Sequence, residues 1–176
     1  MDPNQVKRDE DGVMRCVQCG FHYDLSPTEV AERADAATQA IRQAVADTPA
    51  ERRSQRPSPE VWSVNGYTRH LADASGVILQ RIDLILTQDR PYLPYWDEAA
   101  DADANRIDES PADDSIPVLE ERVARFGERM RALPPRAWDR VGIHERAGEI
   151  RLSEIAHDMA HETEHHAQDI RDVGCA

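Results

Sequence analysis

Apolar side chains recur every three or four residues in four stretches of this chain, the pattern of helices that bury one face. The clearest stretch begins near Ser63 and runs to about Gln88, with Val64, Tyr67, Leu71, Ala74, Ile78, Ile82 and Ile85 on one stripe. An earlier helix opens at "SPTEV". Ser26 serves as its N-cap, Pro27 takes the first helical position, and Glu29 completes a capping box. It is expected to end near Asp47, ahead of Pro49. A third helix is predicted from about Ser115 to Leu133. A fourth is predicted from about Ser153 to Val173, with Gly174 as the residue just beyond its end. No stretch convincingly predicts a strand.

The connections are unequal. A basic, proline-containing loop, "ERRSQRPSPEVW", follows the first helix, and "PPRAWDRVGIHERAGEIR" precedes the fourth. Between the second and third helices lie roughly residues 89 to 114. They are proline-punctuated and then strongly acidic: "DRPYLPYWDEAADADANRIDESPADD". Two short links and one long crossover fit an all-α four-helix bundle. We assign residues 26–176 to that bundle and residues 1–25 to a short N-terminal segment.

Charge narrows the range of partners. The 176 residues can bury a real core, and their formal net charge is −13. That sign argues against nucleic acid and anionic membrane surfaces as partners. The most apolar run, "GVILQRIDLIL", is broken by Arg81 and Asp83 and falls short of the roughly 20 residues of a membrane span. The opening "MDPNQVKRDEDG" lacks the apolar core of a signal peptide. A cytoplasmic location is therefore expected. Three cysteines, two of them in a C-x-x-C, are not a disulfide framework.

Candidate chemistry concentrates in "HETEHHAQDI", which begins at His161. His161 and His165 are four residues apart, so a helix stacks them on one face with ring nitrogens able to converge on one ion. Imidazole suits zinc, nickel, iron or copper. A third ligand must come from another helix, and the second helix offers His70. One consideration points the other way. Ile155, Met159, Ala160, Ala167, Ile170 and Val173 define the apolar arc of the fourth helix; His161 and His165 fall outside it and His166 inside. That favours His166 as the ligand, with Glu162 as its partner one turn earlier.

The N-terminal segment carries a second motif, "MRCVQCGFHYDL". Cys16 and Cys19, followed by Gly20, have the spacing of a zinc knuckle. His22 is a candidate third ligand, and Cys175 a fourth if the tail folds back. A further alternative is one mixed site shared by these thiolates and the last-helix histidines. No βαβ pattern supports a thioredoxin-like role. "DADANRIDESPA" mimics a calcium loop only at its start: Arg106 stands where glycine is needed and Ala112 where a bidentate glutamate belongs.

Four segments in order resemble the DinB-like family. The first is W-S-x(6)-H-L-A-D-x(7)-R, here Trp62, Ser63, His70 to Asp73 and Arg81. The second runs from Pro91 through Trp96 and Asp97. The third is "WDRVGIHERAGEI", and the fourth is H-x-x-x-H-H-x-x-D-I from His161. The resemblance covers about residues 27 to 173. It implies an up-up-down-down four-helix bundle and a metal site of one second-helix histidine with two from the last helix. Carried over, these are His70, His161 and His165, and that spacing is preferred here over the register at His166. The resemblance also implies a divalent transition metal, zinc or nickel, and a low-molecular-weight thiol such as mycothiol as cosubstrate. The family includes thiol-dependent isomerases and S-transferases.

Three histidines with an open position make a catalytic type of site. Asp73, one turn from His70, is a candidate to orient its ring. Arg81 is a candidate to receive an anionic substrate. The expectation is a metal-dependent enzyme acting on a small molecule with a thiol. The alternative is a metal-binding or regulatory bundle without turnover. A homodimer is expected from family habit and from the two-faced fourth helix.

Overall fold

The computed structural model describes residues 6–104 and 106–175. Its helix α1, Pro27–Asp47, begins with the anticipated capping box: the Ser26 hydroxyl accepts from the Glu29 amide, and the Glu29 carboxylate accepts from the Ser26 amide at 2.8 Å. Helix α2, Val64–Thr87, is capped by Ser63, whose hydroxyl accepts from the Gly66 amide at 3.1 Å. A short helix α3, Glu98–Ala104, lies inside the long crossover. Helix α4, Ala112–Arg131, starts three residues before the expected Ser115. Its early start has a tertiary cause, because the Asn65 side chain of α2 accepts from the Ala112 amide at 3.1 Å. Helix α5, Leu152–Cys175, runs through Gly174 instead of ending before it. A Cβ at Gly174 would lie 2.4 Å from Thr48 Oγ1, so glycine serves here for close approach to the end of α1.

Cross-helix pairs set the directions. Leu25 meets His157, Arg33 meets Glu164 and Gly174 meets Thr48, so α1 and α5 are parallel. Asn65 with Ala112 and Asp83 with Arg129 make α2 and α4 parallel. Asp35 with Arg131 and Arg53 with Asp113 make α1 and α4 antiparallel. Tyr67 beside His166 and His70 beside Glu162 do the same for α2 and α5. Around the perimeter the order is α1, α5, α2, α4, two neighbours up and two down. Along the chain the directions run up, down, down, up, so the four-helix bundle stands but the expected up-up-down-down order is corrected: α1 and α2 are antiparallel, and the long crossover joins parallel helices. Parallel neighbours α2 and α4 need a connection that returns along the whole bundle, and the long crossover supplies it.

Short strands appear where none was expected. Strands β1, Val6–Arg8, and β2, Met14–Cys16, form an antiparallel hairpin. Strand β3, Tyr92–Leu93, runs parallel to β4, Val141–His144, which turns back into β5, Gly148–Arg151. These runs of two to four residues are too short to show a period in sequence.

Ile41, Leu71, Ile82, Ile85, Leu119, Phe126 and Ile155 are fully buried between the helices. Cys16, Phe21 and Leu25 of the N-terminal segment join the same core. That segment covers the second face of α5, so His157 and His161 are buried although they lie off the apolar arc. Among the described residues no helix is long and apolar enough to cross a membrane.

Asp108, just before α4, ties the crossover to the start of α2. Its carboxylate accepts from the Ser63 amide and hydroxyl, at 3.0 and 2.6 Å, and pairs with Arg56. Burial opposes its charge, but Arg56 and Ser63 outweigh that and hold its pKa below the usual carboxylate value. Asp108→Ala is expected to cost about 2 kcal/mol at neutral pH. A depressed pKa stabilises the fold above the unfolded value of about 4 and loses that contribution as pH falls through the folded value. The stability gap between wild type and variant should therefore narrow below about pH 4. Urea midpoints across pH check this; a gap that stays constant refutes it.

Candidate metal centres

Among the described residues three groups of ligand-type side chains form along α5: two on adjacent faces, and a third, His165, His166 and Asp169, that overlaps both. In the first, α2 contributes His70, and α5 contributes Glu162 and His166 one turn apart, with one ligand atom of each within 4.8 Å of the others. Glu162 Oε2 lies 3.6 Å from His70 Nε2 and 3.3 Å from His166 Nε2. His70 is buried, with its ring stacked on Trp96 at 5.8 Å between centroids and tilted against Trp62 at 4.9 Å. His166 Nδ1 donates to Asp169 Oδ2 at 2.7 Å, which orients the ring with Nε2 toward the group. Burial disfavours a charged His166, but Asp169 and Glu162 override it and raise its pKa to about 9. Burial also opposes charge on Glu162, yet His166 and His70 hold its pKa well below the usual carboxylate value.

The second group is Cys16 and Cys19 with His161 and His165, their ligand atoms again within 4.8 Å. Cys16 Sγ lies 3.8 Å from His165 Nδ1. Burial and the neighbouring Cys16 push the Cys19 thiol up to about 11. Burial lowers the His161 pKa to about 4, so its ring is neutral at pH 7.

A cleft of about 380 Å³ reaches the first group at Glu162. Glu162, Asp158, Arg81, His144, Trp96 and Ile150 are among its walls. His144 Nδ1 accepts from the Arg146 and Ala147 amides at 3.3 and 3.1 Å, which places its proton on Nε2. Arg81 Nη2 lies 3.3 Å from that Nε2. Arg81 Nη2 also donates to the Pro94 carbonyl at 3.0 Å, and an anionic acceptor beside it could take a further hydrogen bond from each of the two side chains. Burial depresses the pKa of Arg81 and of His144, for His144 with Arg81's charge adding to it. Burial, with Glu162 nearby, raises that of Asp158 to about 7.

The structure divides the predicted ligands between the two groups. His70 does not meet His161 and His165; it meets His166, and His161 and His165 meet the two thiols. The register at His166 with Glu162, and the mixed cysteine–histidine cluster, are the alternatives that the geometry assembles. Asp73 does not orient His70, because it pairs with Arg69 at 2.7 Å; Asp169 is the carboxylate behind a ring. His22 pairs with Asp24, and Cys175 is exposed near the far end of α5. His157 uses both nitrogens, on the Ser153 carbonyl and the Leu25 amide, and anchors the N-terminal segment. Sequence reading passed over Asp169, Asp158 and His144. The spacing of Glu162, His166 and Asp169 on one helical face was the available signal for the first of these.

Comparison with known proteins bears on the same segment. Residues 33–170 match the model of the DinB superfamily. A protein of Oceanobacillus iheyensis, provisionally named a metal-dependent hydrolase, is 30% identical over 116 residues, 62% of this chain and 63% of that protein. The match thus spans less than two thirds of that relative. YfiT of Bacillus subtilis, described as a provisional metal-dependent hydrolase with an unusual four-helix bundle topology, superposes with a TM-score of 0.77 at 20% identity, over 84% of this chain and 85% of YfiT. A mycothiol-dependent maleylpyruvate isomerase superposes with a TM-score of 0.67 at 18% identity, over 84% of this chain and 61% of the isomerase.

Proposed function

Because this chain belongs to the DinB superfamily, we propose that it is a metal-dependent enzyme whose centre is His70, Glu162 and His166 and whose substrate is a small anion. The observation that carries this reading is that Glu162 of the ligand group also lines the cleft that holds Arg81 and His144. The donor set fits a metal: two imidazole nitrogens and a carboxylate oxygen converge, with the rear nitrogen of His166 held by a carboxylate. His70, Glu162 and His166 would hold a divalent transition metal, zinc or nickel, which would supply Lewis acidity for activating a water or thiol.

The remaining chemistry belongs to the chain's own side chains. Arg81 and the Nε2–H of His144 bind and orient the substrate's anionic group. Trp96 and Ile150 exclude water from the cleft wall. Asp158, with a pKa of about 7, is suited to take and return a proton at its carboxylate. We place the nucleophile among low-molecular-weight thiols, mycothiol or a similar one, in keeping with the fold shared with the isomerase. The hydrolase naming of the Oceanobacillus relative supports water as the second reading.

Tag-free protein, metal-loaded or stripped, incubated with thiols and small anionic electrophiles tests the reading. Metal-dependent thiol consumption or isomerisation supports thiol chemistry; metal-dependent hydrolysis without a thiol supports water. Absence of both across the panel leaves a binding bundle without turnover. In the active case Arg81→Ala should raise KM about tenfold or more while changing kcat less. An unchanged KM would remove Arg81 from the substrate site.

A further inference from the structure

The Cys16–Cys19–His161–His165 group lies outside the proposed catalytic centre; the family resemblance supplied His161 and His165 as partners of His70, but neither thiol. Its geometry is that of a closed site. The hairpin β1–β2 delivers Cys16 from its last residue, and a tight turn brings Cys19 round beside it. In that turn the Gly20 amide donates to the Cys16 carbonyl at 2.9 Å, and the Cys16 amide to the Phe21 carbonyl at 2.8 Å. Gly20 has φ +77°, a conformation that favours glycine. One turn of α5 separates His161 from His165 and presents both rings to the thiols.

One observation points directly to a missing ligand. His161 is 3% exposed, and both of its ring nitrogens are buried with no hydrogen-bond partner. Buried polar groups are nearly always satisfied, and an orphaned ring aimed at two thiols needs an explanation. A metal ion supplies one. Zinc bonds of about 2.3 Å to sulfur and 2.0–2.1 Å to nitrogen would space sulfur and nitrogen by roughly 3.5 Å in a tetrahedron. The 3.8 Å between Cys16 Sγ and His165 Nδ1 is close to that.

We propose that Cys16, Cys19, His161 and His165 bind a structural zinc ion that fastens the N-terminal hairpin to helix α5. Both thiols bind as thiolates, their two protons leaving to solvent, and the two neutral imidazoles complete four-coordination. No position remains for substrate, so the site is structural. Asp169 Oδ2 lies 3.7 Å from His165 Nε2 while accepting from His166, so one carboxylate backs a ring of each group.

The test uses the full tag-free chain, stripped and reloaded with cobalt(II). Wild type and His70→Ala should both show intense thiolate-to-cobalt charge-transfer absorption. In Cys19→Ser that absorption should fall, and in Cys19→Ser and His161→Ala cobalt affinity at this site should drop by more than about 100-fold, beyond what loss of an outer partner causes. Alkylation of the unmodified protein provides a measure independent of the variants' folding. Zinc should protect half-buried Cys19 and chelation should release it, while exposed Cys175 reacts equally in both states. The proposal is overturned if wild type shows no thiolate absorption, if Cys19 reacts equally with and without zinc, or if His70→Ala abolishes the signal. Loss of metal-dependent turnover in His70→Ala with the thiolate signal intact separates this site from the catalytic one.

Discussion

Replacing His166 by alanine is expected to empty the proposed metal centre and abolish the metal-dependent turnover proposed for it, whereas replacing His165 leaves that centre filled. The two residues are neighbours in sequence, but the helix points them at different groups. His166 Nε2 approaches Glu162, which also faces His70; His165 Nδ1 approaches Cys16. Losing one of three protein ligands removes more affinity than losing the carboxylate behind one, which costs roughly 10–100-fold. Asp169→Asn should show that smaller loss, because it releases the His166 ring without removing it. Glu162→Gln should resemble His166→Ala, since an amide oxygen carries no charge to offset the ion's. Metal content and turnover of the purified variants decide the matter. If His165→Ala strips the catalytic centre while His166→Ala spares it, the assignment made here is wrong by one residue.

That register marks how far the sequence carries. Helical periodicity and caps placed α1 and α2 almost to the residue, because Ser26, Glu29 and Ser63 act locally. The start of α4 lay outside local signals, since its cap is the Asn65 side chain of another helix. Gly174 looked like a helix stop because nothing in sequence reports that Thr48 presses against it. The histidine faces of α5 were legible as faces, and the apolar arc singled out His166. The thiols of Cys16 and Cys19 were legible only as an alternative partner for the last-helix histidines, and the aromatic cover of that face was not legible. Only the fold brings Phe21 and Tyr23 onto their side of α5, with ring centroids 5.4 and 5.6 Å from His161. A histidine face that reads as solvent-facing in a lone helix is thus buried by a segment more than a hundred residues away. The face that suggested a second subunit is covered within one chain.

Phe21→Ala is expected to detach the N-terminal hairpin from the bundle in metal-free protein, yet leave it in place when zinc is bound. Phe21 is fully buried, packs edge-on against Tyr23 at 5.1 Å, and lies under the Arg33 guanidinium at 5.5 Å. Truncating such a ring costs about 3–5 kcal/mol in lost burial and residual cavity. The segment's other described anchors are Cys16 and Leu25 in the core, Cys19 and Tyr23 packed against it, and the Leu25 amide on His157. A loss of that size should exceed what holds so short a segment, while α1 to α5 keep their own core. Zinc acts against the loss by mass action: at a thousandfold excess over its Kd it favours the attached state by about 4 kcal/mol, comparable with the packing lost. Hydrogen exchange over residues 14–24 should therefore be slow in zinc-loaded Phe21→Ala and fast after chelation, with wild type slow in zinc and only partly loosened without it. Protection that is equal with and without zinc would show that packing alone holds the hairpin. Melting of the whole bundle in one step with the hairpin would show that the segment is not a separate cooperative unit.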